Sequence, residues 1–152
     1  MNNDYDFDTL AIRAGTVRSQ FAEHSEALFL TSSFMFKSAA QAAARFAHKE
    51  PGPIYSRFSN PTIAMFTDRL AILEGAESCI ATSSGMAAIT SCAMSLLQAG
   101  DHVVASSSVF GSTITLFGTI LAKFGVETTW VSSGDPREWE KALRPNTKML
   151  YL

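Results

Sequence analysis

The sequence has only two cysteines, Cys79 and Cys92, and three histidines, His24, His48 and His102. The thiols are spaced too widely for a CxxC pair. Their apolar neighbours read as two buried, reduced cysteines, in keeping with a cytoplasmic setting. The histidines are scattered and no HExxH is present, so metal ligation is not indicated. Charge is also scarce: 17% of residues are charged and the formal net charge is -2. With no basic stripe, nucleic acid is not an expected partner. No apolar run reaches the about 18 residues that would read as a membrane span. The acidic start MNNDYDFD lacks the apolar core of a signal peptide. GxxxxGK[ST], GxGxxG and GxSxG are all missing, which removes the usual signatures of a P-loop, a dinucleotide site and a serine-hydrolase elbow.

What is present is a globular composition, 47% hydrophobic over 152 residues, enough for one core. The low charge implies surface covered by other subunits. Residues 1–59 have weak periodicity and mix Phe7, Phe21, Phe29, Phe34 and Phe36 with polar residues. Short helices are predicted near Asp8–Arg13 and Ser38–His48. A long apolar segment without its own core is expected to lie against the rest of the chain or another subunit.

From residue 60 the pattern becomes regular. Asn60 can cap a helix with Pro61 at its first position, and Gly75 can end it. Predicted strands at Ser78–Thr82, His102–Ala105, Val126–Val131 and Lys148–Leu152 then alternate with predicted helices. The helices cover Met86–Leu97, Ser112–Phe124 and, capped by Asp135, Pro136–Leu143. In the middle helix Ile114, Phe117, Leu121 and Phe124 form the apolar face. Alternation with short links predicts right-handed βαβ units and a mostly parallel sheet. The chain stops inside its last predicted strand, so a fragment of a longer polypeptide is expected.

Three segments can carry chemistry. Ser83-Ser84-Gly85-Met86 lies where a strand passes into a helix. Free N–H groups and the positive dipole end there suit a phosphate, but a plain tight turn reads equally well. In Tyr55-Ser56-Arg57, the arginine offers a donor fork matched to phosphate. If the segment is extended, Tyr55 points the same way as Arg57. The alternative is a surface arginine before a capped helix. Phe110, after the second predicted strand, falls at the same sheet edge as Gly85. It could stack on a flat ring or be ordinary core.

Together these segments are recognisable. Tyr55-Ser56-Arg57 with Asn60-Pro61-Thr62 resembles the YSRxxNPT motif of the Cys/Met-metabolism family of pyridoxal-phosphate (PLP) enzymes. Ser84-Gly85-Met86-Ala87-Ala88-Ile89 resembles its SGMAAI phosphate turn, and Thr9–Gly15 its N-terminal segment. The resemblance spans essentially the whole chain, in order. It implies an α/β, type I (aspartate-aminotransferase-like) fold, mostly parallel with helices on both faces, here truncated. It implies pyridoxal 5'-phosphate as cofactor and a homotetramer of two tight dimers. By it, residues 1–59 are an arm packing on the partner subunit and residues 60–152 the first part of the PLP-binding domain.

Ser84, Gly85 and Met86 would hold the cofactor phosphate. Tyr55 and Arg57 would reach the neighbouring subunit's phosphate, with Tyr55 and Phe110 also counted as catalytic. Most relatives carry tyrosine where this chain has Phe110; stacking survives but the hydroxyl is lost. The stretch Ser108-Val109-Phe110-Gly111 looks most like the O-succinylhomoserine sulfhydrylase branch. The implied reaction is γ-replacement by sulfide to give homocysteine, in methionine biosynthesis. Cystathionine γ-synthase and the γ-lyases are the alternatives within the family. Lys37, Lys49, Lys123, Lys141 and Lys148 lie in segments unlike the family's lysine motif, so this chain alone is expected to be inactive. Outside the family, a non-catalytic phosphate-binding or interaction module and a nucleotide-binding α/β protein are the alternatives. The roles of Arg45 and Glu127 are open.

Overall fold

The computed structural model describes residues 5–132 and 134–152. The chain divides into two compact units after Ala81.

The N-terminal unit contains helices α1 (Phe7–Arg13), α2 (Ala39–Phe46) and α3 (Pro61–Glu74). The expected caps are present. Asn60 Oδ1 accepts from the Thr62 amide at 2.9 Å, Pro61 opens α3, and Gly75 ends it in the left-handed region at φ +64°. Ser38 caps α2. Among the described residues of this unit only Ala14, Met65 and Ala71 are buried apolar side chains, and directed polar contacts fix its geometry. Arg69, on α3, donates to the Ala14 carbonyl at 2.8 Å and to Thr16 Oγ1 at 3.1 Å, and pairs with Glu26. That contact pushes the Glu26 carboxyl down to about 2. Gly15 has φ +72°, and a Cβ there would lie 2.7 Å from the Met65 carbonyl, so only glycine fits where the chain crosses α3. Arg45 is spent locally: it donates to Glu50 and to the Pro53 carbonyl and lies over the Phe36 ring.

The C-terminal unit is a three-stranded parallel sheet with order β2-β1-β3, where β1 is His102–Ser106, β2 Glu127–Val131 and β3 Thr147–Tyr151. β1 is buried along its whole length. Val103 and Ala105 pack under Ala93 of α4 (Gly85–Leu96) and under Leu116, Phe117 and Leu121. In register with Ala105 lie Trp130 on one side and Tyr151 on the other. The Tyr151 ring is 5.1 Å from that of Phe117. α6 (Pro136–Ala142) follows its Asp135 cap.

Several expectations are corrected. Ser78–Thr82 forms no ladder among the described residues, because an extended run becomes a strand only when a neighbouring backbone completes its hydrogen bonds. The sheet therefore has three strands, not four. The helix expected at Ser112–Phe124 starts as α5 (Gly111–Thr115), widens into a π-helical turn at Leu116–Ile120 and tightens to a 3₁₀ turn at Leu121–Phe124. The extra residue in the wide turn shifts the apolar face. Thr113, Leu116, Phe117 and Leu121 are buried, while Ile114 and Phe124 are exposed. Cys79 is half-buried and Cys92 exposed, since Cys92 precedes the fully buried Ala93 and turns away from the core. Glu127 pairs with Arg144, at 2.5 Å.

His102, fully buried, locks the start of the sheet. Its Nδ1 is 2.8 Å from Thr147 Oγ1 and its Nε2 2.8 Å from Thr129 Oγ1, one partner on each flanking strand. Burial, then the charge of Arg144, pushes its pKa below 6.5, with Glu127 opposing. The folded chain thus excludes a proton that the unfolded chain binds just below pH 6.5. The stability contributed by neutral His102 is complete above that pH and is lost as the pH falls below it. Unfolding midpoints of the intact protein taken between about pH 8 and about pH 5 should fall at the acid end, and His102→Gln should flatten that fall. An unchanged slope in the variant would assign the titration to another group. Separately, Asn60→Ala removes a cap and two side-chain donors and should cost about 1–2 kcal/mol in denaturant unfolding. Tyr55→Phe, at an exposed hydroxyl, should change stability by less than about 0.5 kcal/mol.

Candidate functional site

In the C-terminal unit, Ser84, Gly85 and Met86 form the start of α4. Ser84 is the N-cap and its Oγ accepts from the Ala87 amide at 3.1 Å. Its carbonyl takes the Ala88 amide at 3.0 Å and the Thr82 hydroxyl at 2.9 Å. The amides of Gly85 and Met86 have no acceptor among the described residues, as befits the first turn of a helix. No acidic side chain occupies that turn. A Cβ on Gly85 would meet nothing within 4 Å. The space beside Gly85 is therefore open.

Phe110 is the N-cap residue of α5, just beyond the carboxyl end of β1, and its ring is 74% exposed. It is not core. An open hollow of about 410 Å³ lies here, walled by Ile89, Ser106, Ser108, Phe110, Thr113 and Tyr151 among others. Thr113, almost wholly buried, donates from Oγ1 to Met86 Sδ at 3.9 Å, and its amide bonds the Phe110 carbonyl at 2.8 Å. The Met86 side chain and the backbone at Phe110 are thus tied to one another through Thr113. Neither Thr113 nor Tyr151 stands out in the sequence; a threonine in a helix and a tyrosine in a strand carry no motif.

In the N-terminal unit, Tyr55 and Arg57 lie together, though not on an extended segment. The amides of Phe58 and Ser59 both bond the Tyr55 carbonyl, at 2.8 and 2.9 Å, closing a turn. The polar residues between and after them are structural. Ser56 bonds the carbonyl of Thr31, and Asn60 Nδ2 donates to the Phe29 carbonyl at 3.0 Å and to Ser56 Oγ at 2.9 Å. Thr62 Oγ1 accepts from the Phe29 amide at 2.9 Å. Tyr55 and Arg57 are left exposed on this scaffold. An open hollow of about 470 Å³ adjoins Arg57, with Asn60, Ile63, Thr67, Cys79 and Ile80 on its walls.

Arg57 differs from the other arginines. Arg13, Arg18, Arg45, Arg69, Arg137 and Arg144 each have a hydrogen-bonding partner in the protein. Among the described residues Arg57 has none; its guanidinium carbon lies 4.2 Å from the Phe58 ring centroid and 6.0 Å from that of Tyr55. In the C-terminal unit, a helix start with two amides lacking acceptors and no acidic side chain fits the phosphate of pyridoxal phosphate; in the N-terminal unit, an arginine with its donors uncommitted has the chemistry to bind a phosphate. An exposed ring at the end of the central strand fits the flat face of pyridoxal phosphate.

Comparison with known proteins bears on the same residues. Residues 8–152 match the model of the Cys/Met metabolism PLP-dependent enzymes. The chain is 53% identical over 146 residues to an O-succinylhomoserine sulfhydrylase of Pseudomonas aeruginosa, covering 96% of this chain and 36% of that protein. It is 42% identical over 146 residues to an L-methionine gamma-lyase of Treponema denticola, with the same coverage. The chain thus spans little more than a third of the length of these relatives. A Campylobacter jejuni crystal structure described as an O-acetylhomoserine (thiol)-lyase superposes with a TM-score of 0.90 at 34% identity, over 98% of this chain and 37% of that one. It carries N'-pyridoxyl-lysine-5'-monophosphate at its position 205. The match over residues 8–152 shows that this chain belongs to the PLP-dependent enzymes of Cys/Met metabolism, whose cofactor is pyridoxal 5'-phosphate.

Proposed function

We propose that the protein replaces the γ-succinyloxy group of O-succinylhomoserine with sulfide to give homocysteine. The observation that carries this reading is Phe110, an exposed ring without a hydroxyl at the end of the central strand. A phenyl ring can orient a cofactor by stacking, but it cannot shuttle a proton. That favours replacement chemistry with a good carboxylate leaving group over elimination from a thioether. The 53% identity to an O-succinylhomoserine sulfhydrylase supports the same choice.

When bound, pyridoxal phosphate supplies an electron sink for chemistry at the amino-acid carbons. The residues of this chain bind and orient. The Gly85 and Met86 amides and the Ser84 hydroxyl hold the phosphate at the positive end of α4. Phe110 holds the ring face, and Thr113 keeps the two in register through Met86. Arg57 adds a charged fork to a phosphate, and Tyr55 Oη, whose hydroxyl has no partner among the described residues, handles a proton beside it.

Tyr55 and Arg57 serve a neighbouring subunit in this reading, within a tetramer built from dimers. Residues 1–59 are then an arm on the partner and residues 60–152 the first part of the cofactor domain. Phe21, Leu30 and Met35, each more than four-fifths exposed, support such packing. The lysine that carries the cofactor would lie outside these 152 residues, and the chain by itself would be inactive. A γ-lyase is the second reading, favoured by the 42% identity to the T. denticola enzyme.

Steady-state rates of the intact protein decide between them. O-succinylhomoserine with sulfide should be turned over faster than O-succinylhomoserine with cysteine, and much faster than methionine alone. Faster release of methanethiol from methionine would favour the γ-lyase. Phe110→Tyr should raise elimination from methionine relative to replacement. Gly85→Val, which fills the opening before the α4 amides, should weaken pyridoxal phosphate by about tenfold or more in an absorbance titration.

A further inference from the structure

Arg57 has a neighbour that the motif around it does not explain. Phe58 is the next residue in the chain, and on an extended strand it would point the opposite way. The Tyr55–Phe58 turn brings it round instead, with its amide on the Tyr55 carbonyl at 2.8 Å. Its ring lies 4.2 Å from the Arg57 guanidinium carbon and packs edgewise on Tyr55, with centroids 6.3 Å apart. At 65% exposure, Phe58 gains little by burial, so its position calls for another reason. A guanidinium is planar. Stacking occupies its face and leaves its N–H donors in the plane, directed outward. Ring contact and bidentate phosphate binding therefore use different parts of the group and do not compete. Arg57 also has no carboxylate or hydrogen-bonding partner among the described residues to hold it, and the Phe58 ring is the group set against its guanidinium.

We propose that Phe58 is a positioning residue: by stacking on Arg57 it fixes the plane of the guanidinium, so that the donor fork is already aligned for a phosphate ester. This rests on the reading of Arg57 as a phosphate ligand. A long arginine otherwise loses rotamer freedom on binding, and pre-alignment reduces that loss. The contribution acts only on ligands that carry the phosphate.

The test compares pyridoxal phosphate with pyridoxal, which lacks the phosphate, as probes of the intact protein stripped of cofactor. Dissociation constants come from absorbance titration and folding from thermal melts. Phe58→Leu should weaken pyridoxal phosphate about two- to fivefold, the range of an exposed cation–π contact, and leave pyridoxal and the melting temperature unchanged. Phe58→Tyr, which keeps the ring, should bind as the unsubstituted protein does. Arg57→Ala should weaken pyridoxal phosphate more, by about tenfold, and Phe58→Leu should add nothing to it. If Phe58→Leu weakens both probes equally, or neither, the positioning role is wrong while Arg57 keeps its own. If Arg57→Ala leaves pyridoxal phosphate affinity untouched, the phosphate reading of Arg57 falls, and the role of Phe58 with it.

Discussion

The C-terminal unit hangs on one buried strand. β1 carries a parallel neighbour on each side, and its side chains supply the centre of the core. His102 holds its first residue to both neighbours through threonine hydroxyls. Ala93, fully buried against the same cluster, fixes α4 on the sheet. The candidate site lies at the other end. Where β1 runs out, the chain turns through Ser106–Phe110 into α5, and the first turn of α4 is linked to that point through Met86 and Thr113. Open parallel sheets bind ligands beyond the carboxyl ends of their strands, because helix starts and flexible turns gather there. Here the gathered groups are two free amides, a hydroxyl and an exposed ring.

The N-terminal unit is built on a different principle. With few buried apolar residues, it relies on directed polar contacts: Arg69 to the chain around Ala14–Glu26, and Ser56, Asn60 and Thr62 to the chain around Ala27–Thr31. Such contacts fix geometry more than they add stability, since each replaces hydrogen bonds to water. Their effect is to hold one turn, Tyr55–Phe58, in a set shape while its aromatic and cationic side chains face outward. The family motif thus separates into two jobs. Ser56, Asn60 and Thr62 build the scaffold, and Tyr55 and Arg57 are what it presents.

Local chemistry and the parallel βαβ pattern were legible in the sequence; which extended runs find a partner was not. Asn60, Pro61 and Gly75 bound α3 as their capping preferences require, and Asp135 starts α6 in the same way. The strands at 102–106, 127–131 and 147–151 are short apolar or β-branched runs between turn signals. Ser78–Thr82 has the same look and forms no ladder, since its composition cannot say whether a partner strand is available. The period-two argument for Tyr55 and Arg57 assumed an extended chain. The side chains meet because the backbone turns, and the same turn brings in Phe58. The π-helical turn after Thr115 left no mark in the spacing of apolar residues, so the buried face was misread there. Arg45 and Glu127 were open in the sequence because long charged side chains choose their partners through the fold.

The central claim is that the cofactor phosphate rests on the first turn of α4. A crystal structure of the intact protein with pyridoxal phosphate tests it most directly. The account predicts phosphate oxygens within about 3 Å of the Gly85 and Met86 amides, the ring against Phe110, and Arg57 of a neighbouring subunit on the same phosphate. A phosphate bound elsewhere, with these amides facing only water, would contradict it.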